Sequence, residues 1–259
     1  MKTGMSSACF YPLETEKAVR KCGEMGFKNI EIFVNSYCEL NGAIRNEIKA
    51  ICDYYGMSVC SVHPFTSFAE SFVFFGSYDR RIDDGIEFYK NYFEFASFIG
   101  AGLINLHGAK TQYTVNNEEY FDRYARLFEA GKEYGITVSQ ENVVDYRSQS
   151  PVFIKRMSDY LGEDFALTLD LKQCRRAGEK ALDFIEAVGE KIKAVHISDY
   201  SDEKDCIPPF EGNEDYLSIV NALKRKEYNG EYLIELYSNG FDSEDQIVTS
   251  AEKFDKILL

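Results

Sequence analysis

Several features of common protein classes are missing from this sequence. It has no tryptophan, and its seven cysteines are odd in number and scattered, with no Cys-x-x-Cys pair among them. This pattern indicates reduced thiols in a cytosolic protein. It argues against a disulfide framework and against a zinc site built from cysteines.

Positive charge is also scarce. The formal net charge is -14 at pH 7, and no run rich in lysine or arginine could build a basic groove. Because such a charge repels phosphates, we expect no nucleic-acid partner. No apolar stretch is long enough to span a membrane, and residues 1–10 lack the apolar core of a signal peptide. The expectation is therefore a cytoplasmic protein with no membrane partner.

Nucleotide-binding motifs and linkers are absent too. Neither G-x-G-x-x-G nor G-x-x-x-x-G-K-[ST] follows the first predicted strand, and no Pro/Gly/Ser-rich linker interrupts the chain. The 259 residues include 45% hydrophobic residues, enough for one sizeable core. We therefore predict a single domain over residues 1–259.

What is present is a regular alternation of apolar β-branched runs and amphipathic helical patterns. About eight strand-like runs occur: Thr3–Phe10, Lys28–Val34, Met57–Val62, Gly102–Leu106, and four runs that end at Glu141, Asp170, His196 and Glu235. Such alternation implies parallel strands joined by crossover helices. Eight units without a break favour an α/β fold of one closed (β/α)₈ barrel, a TIM barrel, over a doubly wound open sheet. The segments Thr66–Ser77 and Ser201–Asn213 are predicted to be loops.

The last four strands share one property at their ends. Each apolar run closes on a residue type that binds divalent metals: Glu141, Asp170, His196 or Glu235. Because all strands of a barrel point their carboxyl ends at the same mouth, these four side chains should meet there. The other two histidines, His63 and His107, also follow strands and should face the same mouth.

Simpler interpretations exist for each of these residues. A charged residue after an apolar strand often just begins a solvated loop. Glu141 and Glu235 resist that interpretation, since Val143-Val144 and Leu236-Tyr237 are predicted to continue the two strands. A carboxylate inside an apolar run needs a cation or hydrogen-bond donors.

Several neighbouring residues have equally simple interpretations. Asp199 and Asp202 are predicted to be loop acids or caps. His63 and His107 also fit hydrogen-bonded core histidines, and Lys172 fits an exposed loop lysine.

Three carboxylates and one imidazole would form an oxygen-rich site. Such a site suits one divalent ion, with Mn²⁺ as the first expectation and Mg²⁺, Co²⁺ or Zn²⁺ as alternatives. The mostly carboxylate shell does not match a thiolate structural zinc site.

At these residues the chain resembles the xylose isomerase-like TIM barrels, specifically the sugar phosphate isomerase/epimerase group that includes the endonuclease IV relatives. The resemblance is carried by Gln140-Glu141-Asn142, Leu169–Gln173, His196–Asp199 and Ile234-Glu235. In ketose 3-epimerases of this group the matching residues would hold one Mn²⁺-like ion. The resemblance implies a metal-dependent isomerase or epimerase that moves a proton on a small keto-sugar or polyol through an enediolate.

The resemblance also assigns roles to individual residues. Glu141 and Glu235 would be the acid/base pair as well as metal ligands. His63, His107, Lys172 and Gln173 would contact the substrate. Assembly into a homo-oligomer is left open.

Two departures from the group's pattern keep other activities open. Gln173 stands where the group often has histidine, and no arginine follows His196 before Lys204. Because Gln173 can hydrogen-bond a hydroxyl but cannot shuttle a proton, a dehydratase or lyase acting on a keto-sugar or inositol derivative is one alternative. An endonuclease IV-like repair enzyme is another, opposed by the acidic charge and the missing histidines. A non-catalytic sugar-binding or partner subunit is the third.

Overall fold

Eight parallel strands close into a barrel in a computed structural model that describes residues 2–259. The barrel strands are β1 (Gly4–Ser6), β2 (Asn29–Phe33), β3 (Ser58–His63), β4 (Leu103–Leu106), β5 (Thr137–Glu141), β6 (Leu167–Asp170), β7 (Ile192–Ile197) and β10 (Glu231–Ile234). Around the ring the order is β1, β10, β7, β6, β5, β4, β3 and β2. The predicted single (β/α)₈ TIM barrel is confirmed, and the open-sheet alternative is wrong.

Helices follow each barrel strand and form the outer layer. They are α1 (Thr15–Glu24), α2 (Gly42–Tyr55), α3 (Glu70–Val73), α4 (Arg80–Ile99), α5 (Asn117–Lys132), α6 (Pro151–Leu161), α7 (Leu171–Ala177), α8 (Ala181–Val188), α9 (Tyr216–Arg225) and α10 (Glu244–Leu258). Local chemistry fixes their ends. The Ser150 hydroxyl accepts from the Phe153 N–H with Pro151 in the first turn of α6, and Gly100 caps the end of α4 with φ +84°.

Phenylalanine and tyrosine side chains fill the space between the helices and the barrel, because the chain has no tryptophan for this layer. The rings of Phe75 and Tyr120 stack with centroids 4.1 Å apart, and Phe153 meets Tyr120 edge-on at 5.1 Å. Each such pair stabilises the fold by about 0.5–1.5 kcal/mol beyond the effect of burying the two rings. Two of the buried Tyr hydroxyls bond polar groups of the barrel: Tyr124 donates to the Val138 carbonyl and Tyr120 to the Gln140 side chain.

Several strands are shorter than the sequence pattern indicates. The first was predicted over Thr3–Phe10, but β1 covers only Gly4–Ser6, and Ser7–Phe10 form a 3₁₀ turn capped by the Ser6 hydroxyl. Val143-Val144 and Leu236-Tyr237 were predicted to extend β5 and β10, but these strands end at Glu141 and Ile234. The reason lies in their backbone N–H groups. The N–H of Val143 bonds the Ser148 hydroxyl, and that of Leu236 bonds the Cys9 thiol, so neither joins the sheet.

The two predicted loops contain regular structure. The segment Thr66–Ser77 holds a 3₁₀ turn, Phe65–Ala69, followed by α3. The segment Ser201–Asn213 contains part of a small antiparallel pair, β8 (Asp199–Tyr200) with β9 (Asp205–Ile207). Both lie after barrel strands and so border the mouth.

In the part of the chain that the structure describes, no helix combines the length and the apolar character needed to cross a bilayer.

Candidate metal centre

The four predicted metal ligands meet at the carboxyl end of the barrel. Glu141 and Asp170 are the last residues of β5 and β6, His196 lies near the end of β7, and Glu235 directly follows β10. These strands are neighbours around the ring, and Asp170 is in register with His196. Glu141, Asp170 and His196 each expose at most 2% of their surface to solvent, and the side chain of Glu235 is 12% exposed.

The side chains point at one another. Nδ1 of His196 lies 3.2 Å from Oε2 of Glu235, 3.8 Å from Oε1 of Glu141 and 3.9 Å from Oδ2 of Asp170. One potential ligand atom from each of the four residues falls within 4.8 Å of the others. The sequence interpretation of these acids as the start of solvated loops is therefore wrong.

Buried polar atoms give an independent test of whether this cluster fits a cation. Oε2 of Glu141, Oδ2 of Asp170 and Nδ1 of His196 are buried, and none of them makes a well-aligned hydrogen bond in the described structure. Side-chain nitrogens lie close to both oxygens, Lys172 Nζ at 3.2 Å from Asp170 and His107 Nε2 at 3.3 Å from Glu141, but they leave them without an aligned donor. Burying a charged oxygen in this way is costly. Carboxylate oxygens with one imidazole nitrogen form the donor set of Mn²⁺ or Mg²⁺. The residues present therefore fit a divalent ion.

A fourth carboxylate, Glu31 on β2, lies inside the barrel directly behind His196. It is fully buried, and its Oε2 accepts from Nε2 of His196 at 3.1 Å, from Asn105 and from Ser61, both at 2.7 Å. Its Oε1 accepts from the Ser6 hydroxyl. Burial by itself raises the pKa of Glu31, but the nearby His196 outweighs it, and the pKa is lowered.

Lys172 contributes the cation closest to the cluster. Its Nζ lies 3.0 Å from Oε2 of Glu235 and 3.2 Å from Oδ2 of Asp170, and the residue is 4% exposed. The interpretation as an exposed loop lysine is therefore wrong. Although burial lowers the pKa of this ammonium, the two carboxylates raise it well above its ordinary value. Lys172 in turn lowers the pKa of Glu235, against the opposing effect of burial.

His63 and His107 form a pair on the other side of Glu141. Their Nε2 atoms are 3.0 Å apart and lie 3.5 and 3.3 Å from Oε2 of Glu141, respectively. Burial lowers the pKa of His63, but Glu141 and other carboxylates raise it overall to about 9. The two histidines also lower the pKa of Glu141 against its burial. These three residues form a second group with metal-ligand spacing that shares Glu141 with the first.

Glu70 holds His107 in place. Its Oε2 accepts the backbone N–H groups of His107 and Gly108 at 2.7 and 2.8 Å, and its Oε1 accepts the Tyr89 hydroxyl. Glu70 is 1% exposed and belongs to α3, in the segment predicted as a loop. The α3 segment is thereby tied to the end of β4.

Gln173, a predicted substrate contact, has a backbone partner in this structure. Its Oε1 accepts the Val144 N–H at 3.1 Å, while its own N–H caps α7 by donating to Oδ1 of Asp170. Asn142 pairs with the backbone of Asp170 in both directions, at 2.7 and 3.0 Å. Gln173 and Asn142 thus fix the orientation of Asp170. A role of Gln173 toward substrate stays a prediction.

Glu31 and Glu70 were missed by the sequence interpretation. Glu31 did leave a signal, because it stands between Ile30 and Ile32 in an otherwise apolar strand, where a carboxylate requires buried partners. Glu70 left none, since the segment around it follows no helical or strand period.

Comparisons with known proteins agree with this architecture. The family model described as a xylose isomerase-like TIM barrel matches residues 19–257. An uncharacterized protein of Methanocaldococcus jannaschii is 28% identical over 173 residues, which are 64% of this chain and 62% of that relative's length. The chain thus spans less than two thirds of that relative.

Two solved structures show the same fold over almost their whole length. A D-tagatose 3-epimerase-like protein superposes with a TM-score of 0.80 at 19% identity, covering 100% of this chain and 97% of the other. A 3-keto-D-glucoside 4-epimerase from E. coli superposes with a TM-score of 0.77 at 17% identity, covering 99% of each chain.

Proposed function

Because the chain belongs to the xylose isomerase-like TIM barrel family, we propose that it is a metal-dependent sugar isomerase or epimerase. Its substrate would be a small keto-sugar or polyol, on which it moves a proton through an enediolate. The fold neighbours named as sugar epimerases support this choice within the family.

The observation that carries the proposal is the position of the two glutamates. Glu141 ends β5 and Glu235 directly follows β10, and the strands that carry Asp170 and His196 separate them around the ring. The two carboxylates therefore stand on either side of the Asp170–His196 pair. A substrate carbon held between them would face one carboxylate on each side, as proton removal and return at opposite faces requires.

The charge state of both glutamates suits this role. Nearby cationic side chains hold the pKa of Glu141 and of Glu235 below the usual value, so both are ionised at neutral pH. An ionised carboxylate accepts a proton from carbon, and the acid formed returns it. Burial opposes this lowering and keeps both carboxylates more basic than the cationic neighbours alone would leave them.

Glu141, Asp170, His196 and Glu235 would hold a divalent ion, with Mn²⁺ as the first candidate. When bound, such an ion polarises a substrate carbonyl and its neighbouring hydroxyl and stabilises the charge that develops on oxygen. His63, His107 and Lys172 lie beside the same carboxylates and would donate hydrogen bonds to substrate hydroxyls.

Solvent deuterium uptake by keto-sugars tests this proposal. We expect exchange at the carbon beside the carbonyl with the Mn²⁺-loaded protein, and its loss in Glu141→Gln and in Glu235→Gln. Metal content is measured in each variant, so that lost exchange is not confused with a lost ion. Glu231→Gln is the matched control, because Glu231 begins β10 at the opposite end of the barrel. Exchange that persists in either site variant would contradict the two-base mechanism.

A further inference from the structure

An aromatic-lined cavity of about 420 Å³ opens beside Glu235. The rings of Tyr11, Phe33, Phe65, Phe68 and Tyr237 line it, and Glu235 forms part of its wall. Its volume lies within the range of about 300–1,000 Å³ that is usual for pockets of drug-sized ligands.

The cavity borders the candidate metal centre. Glu235 belongs to both, and the ring of Phe33 meets His63 edge-on with centroids 5.2 Å apart. A sugar ring placed over the carboxylates at Glu235 would therefore have the space between the aromatic rings beside it, where an attached group fits.

Charge decides what kind of ligand suits this space. Of the described residues that line the cavity, none is a Lys, Arg or His. Two cations outside the wall, Lys172 and Arg176, lie over the ring of Tyr237, and both have carboxylate partners: Lys172 contacts Glu235 and Asp170, and Arg176 contacts Asp205 at 2.7 Å. With Glu235 in its wall and these two cations paired, the cavity disfavours a phosphate or carboxylate group.

Three of the rings are exposed to solvent: Phe68 is 73% exposed, Tyr11 56% and Tyr237 47%. Lys172 and Arg176 already lie over the ring of Tyr237, so Phe68 and Tyr11 are the exposed rings left to stack on a ligand. Exposed aromatic rings grouped around one concave site mark a binding surface for an apolar partner.

We propose that this cavity receives the apolar aromatic group of an uncharged glycoside. The substrate of the enzyme would then be an aryl keto-glycoside, neither a free nor a phosphorylated sugar. This inference rests on the proposed function for the position of the sugar ring, and it adds the substrate class.

Binding of simple glucosides, measured by calorimetry on the Mn²⁺-loaded protein, tests the inference without any catalysis. The probes are phenyl β-D-glucoside, methyl β-D-glucoside and glucose 6-phosphate. We expect phenyl glucoside to bind about tenfold more tightly than methyl glucoside, through ring stacking and burial. Glucose 6-phosphate should bind more weakly than both.

Variants locate the effect. Phe68→Ala and Tyr11→Ala should each weaken phenyl glucoside by about fivefold and leave methyl glucoside unchanged. Tyr54→Ala is the control, because Tyr54 is 80% exposed near the end of α2 and does not line the cavity. Unaltered phenyl glucoside affinity in both cavity variants would overturn the inference.

Equal affinity for the two glucosides, no binding of either, or tightest binding of glucose 6-phosphate would also overturn it. The proposed function fails separately. If keto-sugars show no deuterium exchange while the preference for the phenyl group holds, the isomerase or epimerase assignment is wrong and the aryl-binding cavity stands.

Discussion

The Nε2 atom of His196 lies 3.1 Å from a carboxylate oxygen of Glu31, although 165 residues separate them in the chain. This contact assigns the ring nitrogens. If Nε2 carries the proton and donates to Glu31, Nδ1 presents its lone pair to Glu141, Asp170 and Glu235. A carboxylate behind a metal-binding histidine commonly fixes the ring in this way and makes it a better ligand.

We therefore expect Glu31→Gln to weaken divalent metal binding by about 10- to 100-fold, the usual cost of losing such a partner. Calorimetric titration of the metal-free protein with Mn²⁺ measures this directly. Glu231→Gln, a change of the same kind at the other end of the barrel, should leave the affinity unchanged. Equal affinities of the Glu31 variant and the unmodified protein would show that Glu31 only stabilises the fold.

The number of ions per chain is the next prediction. Elemental analysis of the purified protein should find about one divalent ion per chain, since four converging ligand residues complete one oxygen-rich site. His196→Ala should lose it. Two or three zinc ions per chain would instead indicate that the group formed by His63, His107 and Glu141 is also filled, and would revive the endonuclease alternative.

The strand ends explain why most of this site was predictable from the sequence. Glu141, Asp170, His196 and Glu235 each close an apolar run, and the barrel rule then brings such ends to one mouth. Glu31 was not predictable as their neighbour, because its role depends on the barrel being closed so that β2 faces β7 across the interior. The apolar pattern also gave one wrong strand boundary. Val143-Val144 has the pattern of a strand, but its backbone N–H groups bond the side chains of Ser148 and Gln173 instead of a neighbouring strand.

Lys172 should oppose metal binding. Its ammonium lies 3.0 and 3.2 Å from oxygens of two proposed ligands, where it repels an incoming cation. Lys172→Met should therefore tighten Mn²⁺ binding by about tenfold or more, given the strength of charge interactions at such distances. Lys204→Met, which removes an exposed lysine elsewhere, is the control. Weaker binding in the Lys172 variant would mean that this lysine holds the ligands in position.

Asp199 should matter for stability and not for the metal. Predicted as a loop acid or cap, it is instead the fully buried first residue of β8, where it accepts four backbone N–H groups, from Tyr200, Phe210, Gly212 and Glu214. Asp199→Ala leaves these donors without their acceptor and should cost about 3 kcal/mol, lowering Tm by roughly 5–10 °C. Asp202→Ala, an exposed acid of the same loop, should change Tm little. Thermal unfolding with and without Mn²⁺ measures both.

The stability of the metal-free protein should fall as pH rises because of His63. Burial alone would lower the pKa of His63, but Glu141, Glu31 and Glu235 raise it to about 9 in the folded protein, from about 6.5 in an unfolded chain. The folded state therefore holds this proton more tightly, so the contribution is complete below pH 6.5 and is lost as pH rises through about 9.

The His63→Gln variant isolates this contribution. The difference in unfolding free energy between the unmodified protein and the variant should be larger at pH 6 than near pH 9.5, as measured by denaturant unfolding in the presence of a chelator. Because both proteins share every other titrating group, their difference removes the pH dependence of the groups that do not contact His63. A difference that is constant across this range would mean that His63 is neutral beside Glu141, and that its contacts there are those of an uncharged imidazole.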